Sequence, residues 1–417
     1  QNMIDYLKNL KRGFALHWTE DFSYKNPLFP CQKEHNLPYV KIAPGNEDFA
    51  FRFYHQIASE EPGKNIFFSP VSISTAFAFL SLGAKSATLS QLLAGLGFNQ
   101  KGISEGDIHK GFQSLLQSLN RPKAGFELSL GNAIFTNDQF TLLKKFLTDA
   151  KNFYQADALP TNFKKPQEAV KQINNYVQKQ THGKIVDVIK DLDSSVLAVL
   201  VNYIYFKAQW ESPFNRNYTG NSDFFVDAKT KVQVPMMIND DYYNYYEDKK
   251  LSCYVVQVPY KGNVKALFVL PDQGKLKQVE AALGKDVLLK WEQSLETGFY
   301  INFSLFLPRF SMSTSYDVKK ILNKLGVTDI FTDRADLSGI TGARNLRVSK
   351  TIHKAFLNVR ENGTEAAAAA VLQIGDRFGV ITVKFNRPFV FLIVDYQSKT
   401  ILFMARVNNP SVEQSQN

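Results

Sequence analysis

Apolar positions along this chain follow two periods, and the period assigns most of its elements. Residues 48–57 place an apolar face on a helix that opens behind an Asn-Glu-Asp start. Residues 72–82 are almost wholly apolar or small, the composition of a central buried helix. Residues 166–180 read as a helix with Pro166 in its first turn, and residues 276–295 as one further helix. Alternating or continuous apolar runs predict strands at 128–135, 196–208 and 348–359, the second suited to burial on both faces. Residues 254–271 look like paired strands around Gly262. Tyr242, Tyr243, Tyr245 and Tyr246 predict an aromatic hairpin surface rather than a stacking platform for nucleic acid. Residues 1–45 read as a separate extension. There Met3, Leu7, Leu10 and Phe14 sit at helical spacing with Lys8, Lys11 and Arg12 off the stripe, and a coil bearing Pro and aromatic residues follows over 26–44.

One stretch carries both periods at once. Residues 366–370 are five alanines, the best helix former in the sequence. Read as a strand, the same stretch puts Thr364, Ala366, Ala368, Ala370, Leu372 and Ile374 on one face. The other face would carry Glu365, Ala367, Ala369, Val371, Gln373 and Gly375. No bulky polar group blocks the first face. A segment able to be a loop or helix in one state and a core strand in another is a candidate switch.

Composition narrows the class. The 417 residues are 44% hydrophobic and 21% charged, ample for a large core, and length alone points to about two or three domains. No apolar run approaches the roughly 20 residues that span a bilayer. The absence of an initiator Met and of a signal peptide fits a processed, secreted chain. Cys31 and Cys253 are the only cysteines, too few for a disulfide framework. Cys253 reads as a buried free thiol in a strand, while Cys31 could pair or stay free. The net charge of +10 permits attraction to a sulfated glycosaminoglycan, yet the basic residues are scattered, with no run denser than Lys144-Lys145 or Lys249-Lys250. The six histidines show neither metal-ligand nor triad spacing, and no phosphate-binding loop occurs, so no metal, cofactor or enzymatic activity is expected. Asn217, Asn302 and Asn362 open glycosylation sequons, of which Asn217 is the best candidate and Asn302 falls in a predicted strand.

Residues 361–369, Glu-Asn-Gly-Thr-Glu-Ala-Ala-Ala-Ala, match the serpin hinge Glu-x-Gly-Thr-Glu-Ala-Ala-x-Ala at every specified position. Residues 383–393, Val-Lys-Phe-Asn-Arg-Pro-Phe-Val-Phe-Leu-Ile, resemble that family's C-terminal signature. Residues 65–74, 181–185 and 201–210 are similar to further serpin motifs. The chain therefore resembles the serpins, and within them the antitrypsin-like plasma group (clade A). The resemblance runs over residues 46–410. It implies one α+β domain with three β-sheets, roughly eight to nine helices and an exposed reactive-centre loop over 361–382, followed by a short tail at 411–417.

The resemblance also implies a mechanism. A serine protease attacks the loop and forms an acyl-enzyme, and the cut loop then inserts as a strand and distorts the protease before water can release it. Arg377 falls just before the scissile bond and Phe378 after it, which selects a trypsin-like protease. A register slipped by one residue would make Phe378 the recognised side chain, and the protease chymotrypsin-like. Glu361, Gly363, Thr364, Glu365, Ala366, Ala367 and Ala368 would form the hinge. Ser69, Ser72, Asn202 and His353 match the family's shutter, a polar cluster under the parting strands. Trp210 matches its breach, and Arg309 with Glu361 an ion pair at the loop's origin. Some antitrypsin-like serpins instead carry small hydrophobic molecules, and the matching pocket positions are Leu288, Leu289, Glu292, Asp395, Tyr396 and Lys399. Two carboxylates there would suit an amphiphilic cation such as an amine or alkaloid; otherwise Asp395 and Lys399 pair across the hairpin. The expected protein is secreted, plasma-like and monomeric, binding neither nucleic acid nor a membrane.

Overall fold

The computed structural model describes residues 37–298, 300–313, 317–363 and 380–412. The chain divides into two units, Gln1–Leu37 and Pro38–Asn417, and the fold set out below is that of the second. The expectations at Met3, Leu7, Leu10, Phe14 and Cys31, and those at Thr364, Glu365, Ala366, Ala367, Ala368, Arg377 and Phe378, lie outside the described residues.

The helices are α1 (Ala43–Glu60), α2 (Pro70–Ser81), α3 (Ser86–Gly95), α4 (Glu105–Leu119) and α5 (Lys144–Tyr154). They continue with α6 (Pro166–Gln180), α7 (Leu276–Ala282), α8 (Lys285–Thr297), α9 (Val318–Lys324) and the single turn α10 (Ser338–Thr341). The first strands are β1 (Ile66–Phe68), β2 (Phe126–Asn137), β3 (Asp157–Thr161), β4 (Ala198–Ala208) and β5 (Gly220–Phe225). Next come β6 (Lys231–Asp248), β7 (Cys253–Pro259), β8 (Val264–Pro271), β9 (Tyr300–Pro308) and β10 (Phe310–Ser313). The last are β11 (Lys350–Val359), β12 (Ile381–Lys384), β13 (Phe389–Asp395) and β14 (Thr400–Val407).

Among the described residues the strands form two sheets, not three. The larger runs β1-β14-β13-β8-β7-β6-β9-β12 with β5 on the flank of β6. The 18-residue β6 joins what would otherwise be two sheets, because it pairs in turn with β5, β9 and β7. The smaller sheet runs β10-β11-β4-β2-β3. Its β4 and β11 are parallel, in register from Lys350↔Val199 to Phe356↔Tyr205.

Helix α2 sits in the centre, with all twelve of its residues buried. It starts where it does because Ser69 caps it, accepting from the Ser72 N–H, and Pro70 supplies the preset first turn. The second unit begins at Pro38, with Tyr39 and Ile42 buried at 3% and 1% exposure. Two sequence expectations need correction. Helix α1 opens at Ala43 with proline in its first turn, ahead of the Asn-Glu-Asp start. The helix expected over 276–295 is two, because Leu283 leaves the helical region to bury its side chain and Gly284 is fully extended. Tyr242, Tyr243, Tyr245 and Tyr246 lie along β6, with Tyr245 and Tyr246 in the antiparallel hairpin that β6 makes with β7; alternation buries Tyr243 at 2% and exposes Tyr242 at 51%.

Candidate functional site

The parallel pair β4/β11 is barred by a polar cluster. His353 on β11 lies in register with Asn202 on β4, and the two side chains meet, His353 Nδ1 to Asn202 Oδ1 at 2.6 Å. The Ser72 hydroxyl donates to the same oxygen at 2.7 Å. Asn202 Nδ2 donates to the Ser72 carbonyl at 2.9 Å and to Asn132 Oδ1 at 2.7 Å. The Ser69 N–H donates to His353 Nε2 at 3.3 Å. Ser69, Ser72, Asn202 and His353 are thus brought together at the start of α2. Asn132 is a fifth member that sequence reading missed. Its signal was an amide side chain interrupting the mostly apolar run 128–135, directly opposite Asn202 in the β2/β4 ladder.

This arrangement fixes the charge of His353. Asn202 Oδ1 needs a donor and the Ser69 N–H needs an acceptor, so the ring is neutral with its proton on Nδ1. Burial lowers its pKa from 6.5 to about 3. A folded pKa below the unfolded one means that the unfolded chain takes up the proton first. The stability contributed is complete above about pH 6.5 and falls as pH drops from 6.5 toward 3. Glu47, raised from 4.5 to about 7 chiefly by burial, acts in the opposite sense, so the check is a difference. Between pH 7.5 and 5, His353→Gln is expected to lose less stability than the parent, measured by denaturant midpoint. Equal losses would deny His353 this role.

At the end of β4 the chain clasps the root of the switch segment. Trp210 is fully buried and stacks on Tyr260 with centroids 3.9 Å apart. Its Nε1 donates to the Arg360 carbonyl at 2.9 Å and its backbone N–H to the Asn362 carbonyl at 3.0 Å. The Phe214 N–H takes the Glu361 carbonyl at 2.7 Å. Three successive carbonyls after β11 are thereby held by the residues that follow β4. Gly363 closes the clasp at φ +114°, where a Cβ would come within 2.1 Å of the Ala208 carbonyl oxygen, so only glycine fits.

The Glu361 carboxylate is buried at 1% exposure. Burial pushes its pKa up, but hydrogen bonds from Arg309 and from Thr219 (2.9 Å) outweigh this and the net shift is downward. Arg216 Nε stands 3.9 Å from the second oxygen. Arg309 and Glu361 thus pair as expected, while Thr219, Arg216 and Tyr260 were missed. Thr219 is also the third residue of the Asn217 sequon, and Asn217 itself is exposed. Asn302 sits half-exposed in β9 opposite Tyr242. Asn362 is only 8% exposed, which leaves no room for a glycan in this conformation.

The expected ligand pocket is only partly assembled. Leu288 is buried in the face of α8 that also carries Trp291 and Leu295, whereas Leu289 is 49% exposed. Asp395 does not face a ligand: it is buried, and Oδ2 accepts from the Ser398 N–H at 3.0 Å and from the Ser398 hydroxyl at 2.5 Å, capping its own turn. It makes no ion pair with Lys399. Instead the Tyr396 ring lies between Lys265 at 4.5 Å and Lys399 at 5.5 Å. Burial raises the pKa of Glu292, as it does that of Glu47. Two ammonium groups stand against the Tyr396 ring.

Comparison with known proteins agrees with this architecture. The family model described as serpin (serine protease inhibitor) matches residues 44–410. Human kallistatin is 48% identical, with 98% of this chain and 99% of that protein aligned. Human alpha-1-antichymotrypsin is also 48% identical, over 88% of each chain. Among solved structures, human glycosylated kallistatin superposes with TM-score 0.85 at 47% identity, covering 91% of this chain and all of that one. Human thyroxine-binding globulin complexed with thyroxine superposes with TM-score 0.84 at 41% identity, covering 90% of this chain and all of the other. A polar cluster across β4/β11, a clasped segment after β11 and a match along nearly the whole chain lead to one statement: the chain belongs to the serpin family of serine protease inhibitors.

Proposed function

We propose that this serpin is a secreted, monomeric suicide-substrate inhibitor of a trypsin-like serine protease, cleaved between Arg377 and Phe378. The observation that carries the reading is the geometry of β4 and β11. Because the two are parallel neighbours, a segment that turns back from the end of β11 runs antiparallel to both. It could therefore replace one parallel ladder by two antiparallel ones, whose pairing is slightly stronger per residue. Residues 364–377, extended at roughly 3.3 Å each, reach about 46 Å, more than the roughly 36 Å of the eleven-residue β4. A cut after Arg377 releases enough chain to run the length of the sheet. An arginine before the bond suits a protease with an acidic primary pocket. A relative 48% identical is named plasma serine protease inhibitor, which supports an extracellular site of action.

The test is incubation with substoichiometric trypsin, read on a denaturing gel. An adduct at the summed mass, with a new N-terminus at Phe378, is the expected result. Cleavage at Arg377 without an adduct would reject inhibition of trypsin-like enzymes, and an adduct formed only with chymotrypsin would move the bond beyond Phe378.

A second reading, carriage of a small amphiphile, is favoured by one observation. The Tyr396 hydroxyl is buried without a hydrogen-bond partner among the described residues, between two lysines, in a chain that superposes on a thyroxine complex. The lysines make the ligand of this reading an aromatic anion rather than the amine that sequence suggested. Saturable thyroxine binding lost in Tyr396→Ala would support it.

A further inference from the structure

A cleft of about 780 Å³ opens beside the ends of β5 and β8. Its walls are the turn joining β5 to β6, with Phe225 and Val226, and the turn joining β8 to α7, with Pro271 and Leu276. Its floor is the crossing of Asn386, Arg387 and Pro388 toward β13. The Phe225 N–H donates to the Asn386 carbonyl at 2.8 Å, which ties the first wall to the floor. The volume falls within the roughly 300–1,000 Å³ that small-molecule sites occupy.

Arg387 is the unusual group in this cleft. It is half-buried, and Nε donates to the Pro271 carbonyl at 2.8 Å. Among the described residues the other guanidinium nitrogens have no hydrogen-bond partner and no carboxylate stands within ion-pair distance. Burial lowers its pKa, and Asp272 and Tyr254 offset this only in part. Of the two acids at the rim, Asp227 already accepts from the Lys229 and Thr230 N–H groups of its own turn, and Asp272 is exposed. Lys277 adds a second positive charge at the mouth. A partly desolvated guanidinium fork facing apolar walls is complementary to a carboxylate with a hydrophobic tail, since Arg binds carboxylates bidentately and the walls take the chain.

We propose that this cleft binds a hydrophobic monocarboxylate, its head group on the free nitrogens of Arg387 and its tail against Phe225, Val226, Leu276 and Pro388. The site is separate from the hinge and from Tyr396, so it stands or falls independently of protease inhibition and of the carrier reading.

The test is calorimetric titration of the intact protein with decanoate, below its micellar concentration, and with decanol as the neutral counterpart. Decanoate is expected to bind at one site and about ten-fold more tightly than decanol, the worth of a charge-assisted contact. Arg387→Gln is expected to erase that preference. Leu276→Asp, at the half-exposed wall, is expected to abolish binding of both while leaving the Arg387 contact to Pro271 in place, so the site remains testable if Arg387→Gln folds poorly. Equal affinity for decanoate and decanol, no decanoate binding, or binding unchanged in Leu276→Asp would each overturn the proposal.

Discussion

Asn202→Ala is expected to destabilise the protein by about 3–5 kcal/mol, because each buried polar group left without a partner costs about 1–3 kcal/mol. The substitution strips His353 Nδ1–H and the Ser72 hydroxyl of their shared acceptor, and Asn132 Oδ1 and the Ser72 carbonyl of their donor. The Ser72 hydroxyl can rotate and Asn132 can turn, which keeps the total below the sum of four full penalties. The loss is local to one line of the fold. Asn202 and His353 face each other across the two strands that a returning segment would have to separate, so the variant weakens the bar as well as the global balance. Strands that part expose unpaired edges, which template addition of another chain. The first guanidinium midpoint should fall, and on mild warming size-exclusion chromatography should show oligomers sooner than in the parent. A loss below about 1 kcal/mol would mean that the cluster merely fills space.

What could be read in the chain depended on whether a residue's neighbours were local or distant. The shutter residues were legible through the serpin resemblance, and their character fits it, because buried polar side chains must find partners: Ser69 caps α2, Ser72 lies in its first turn, and Asn202 sits inside a buried strand. Their fifth partner, Asn132, has the same character but only a ladder pairing makes it a neighbour. Gly363 was legible as part of a motif, yet the reason for a glycine lies in the Ala208 carbonyl, 155 positions earlier. Where local pattern was trusted alone, periodicity ran through Gly284 although the backbone is extended there. Asp395, which the resemblance offered as a pocket carboxylate or a partner of Lys399, is claimed instead by the serine three residues on. The fusion of two expected sheets into one follows from the length of β6, whose eighteen residues reach three partners. No window of sequence shows which partners those are.

Arg309→Met should cost about 3–5 kcal/mol, since breaking a buried ion pair from one side leaves the other charge uncompensated. Glu361 is 1% exposed and Arg309 32%, so the acid is the group left stranded. Methionine keeps most of the aliphatic length, which confines the effect to the charge. Thr219 would still donate to Glu361, and Arg216, 3.9 Å away, gives weaker compensation. The pH dependence separates this explanation from lost packing. In the parent the folded pKa of Glu361 lies below the ordinary 4.5, so its contribution is present above pH 4.5 and is lost as pH falls through the folded value. Without Arg309, burial is the dominant influence and the folded pKa rises above the unfolded one. The sign then reverses: the variant recovers stability as pH is lowered from neutrality toward 4.5, where the carboxyl is neutral in both states. Adding Glu361→Gln to Arg309→Met should recover much of the loss at pH 7 and flatten this dependence. A single variant whose deficit is the same at pH 7 and pH 5 would show that packing, not the stranded carboxylate, holds the root of the loop in place.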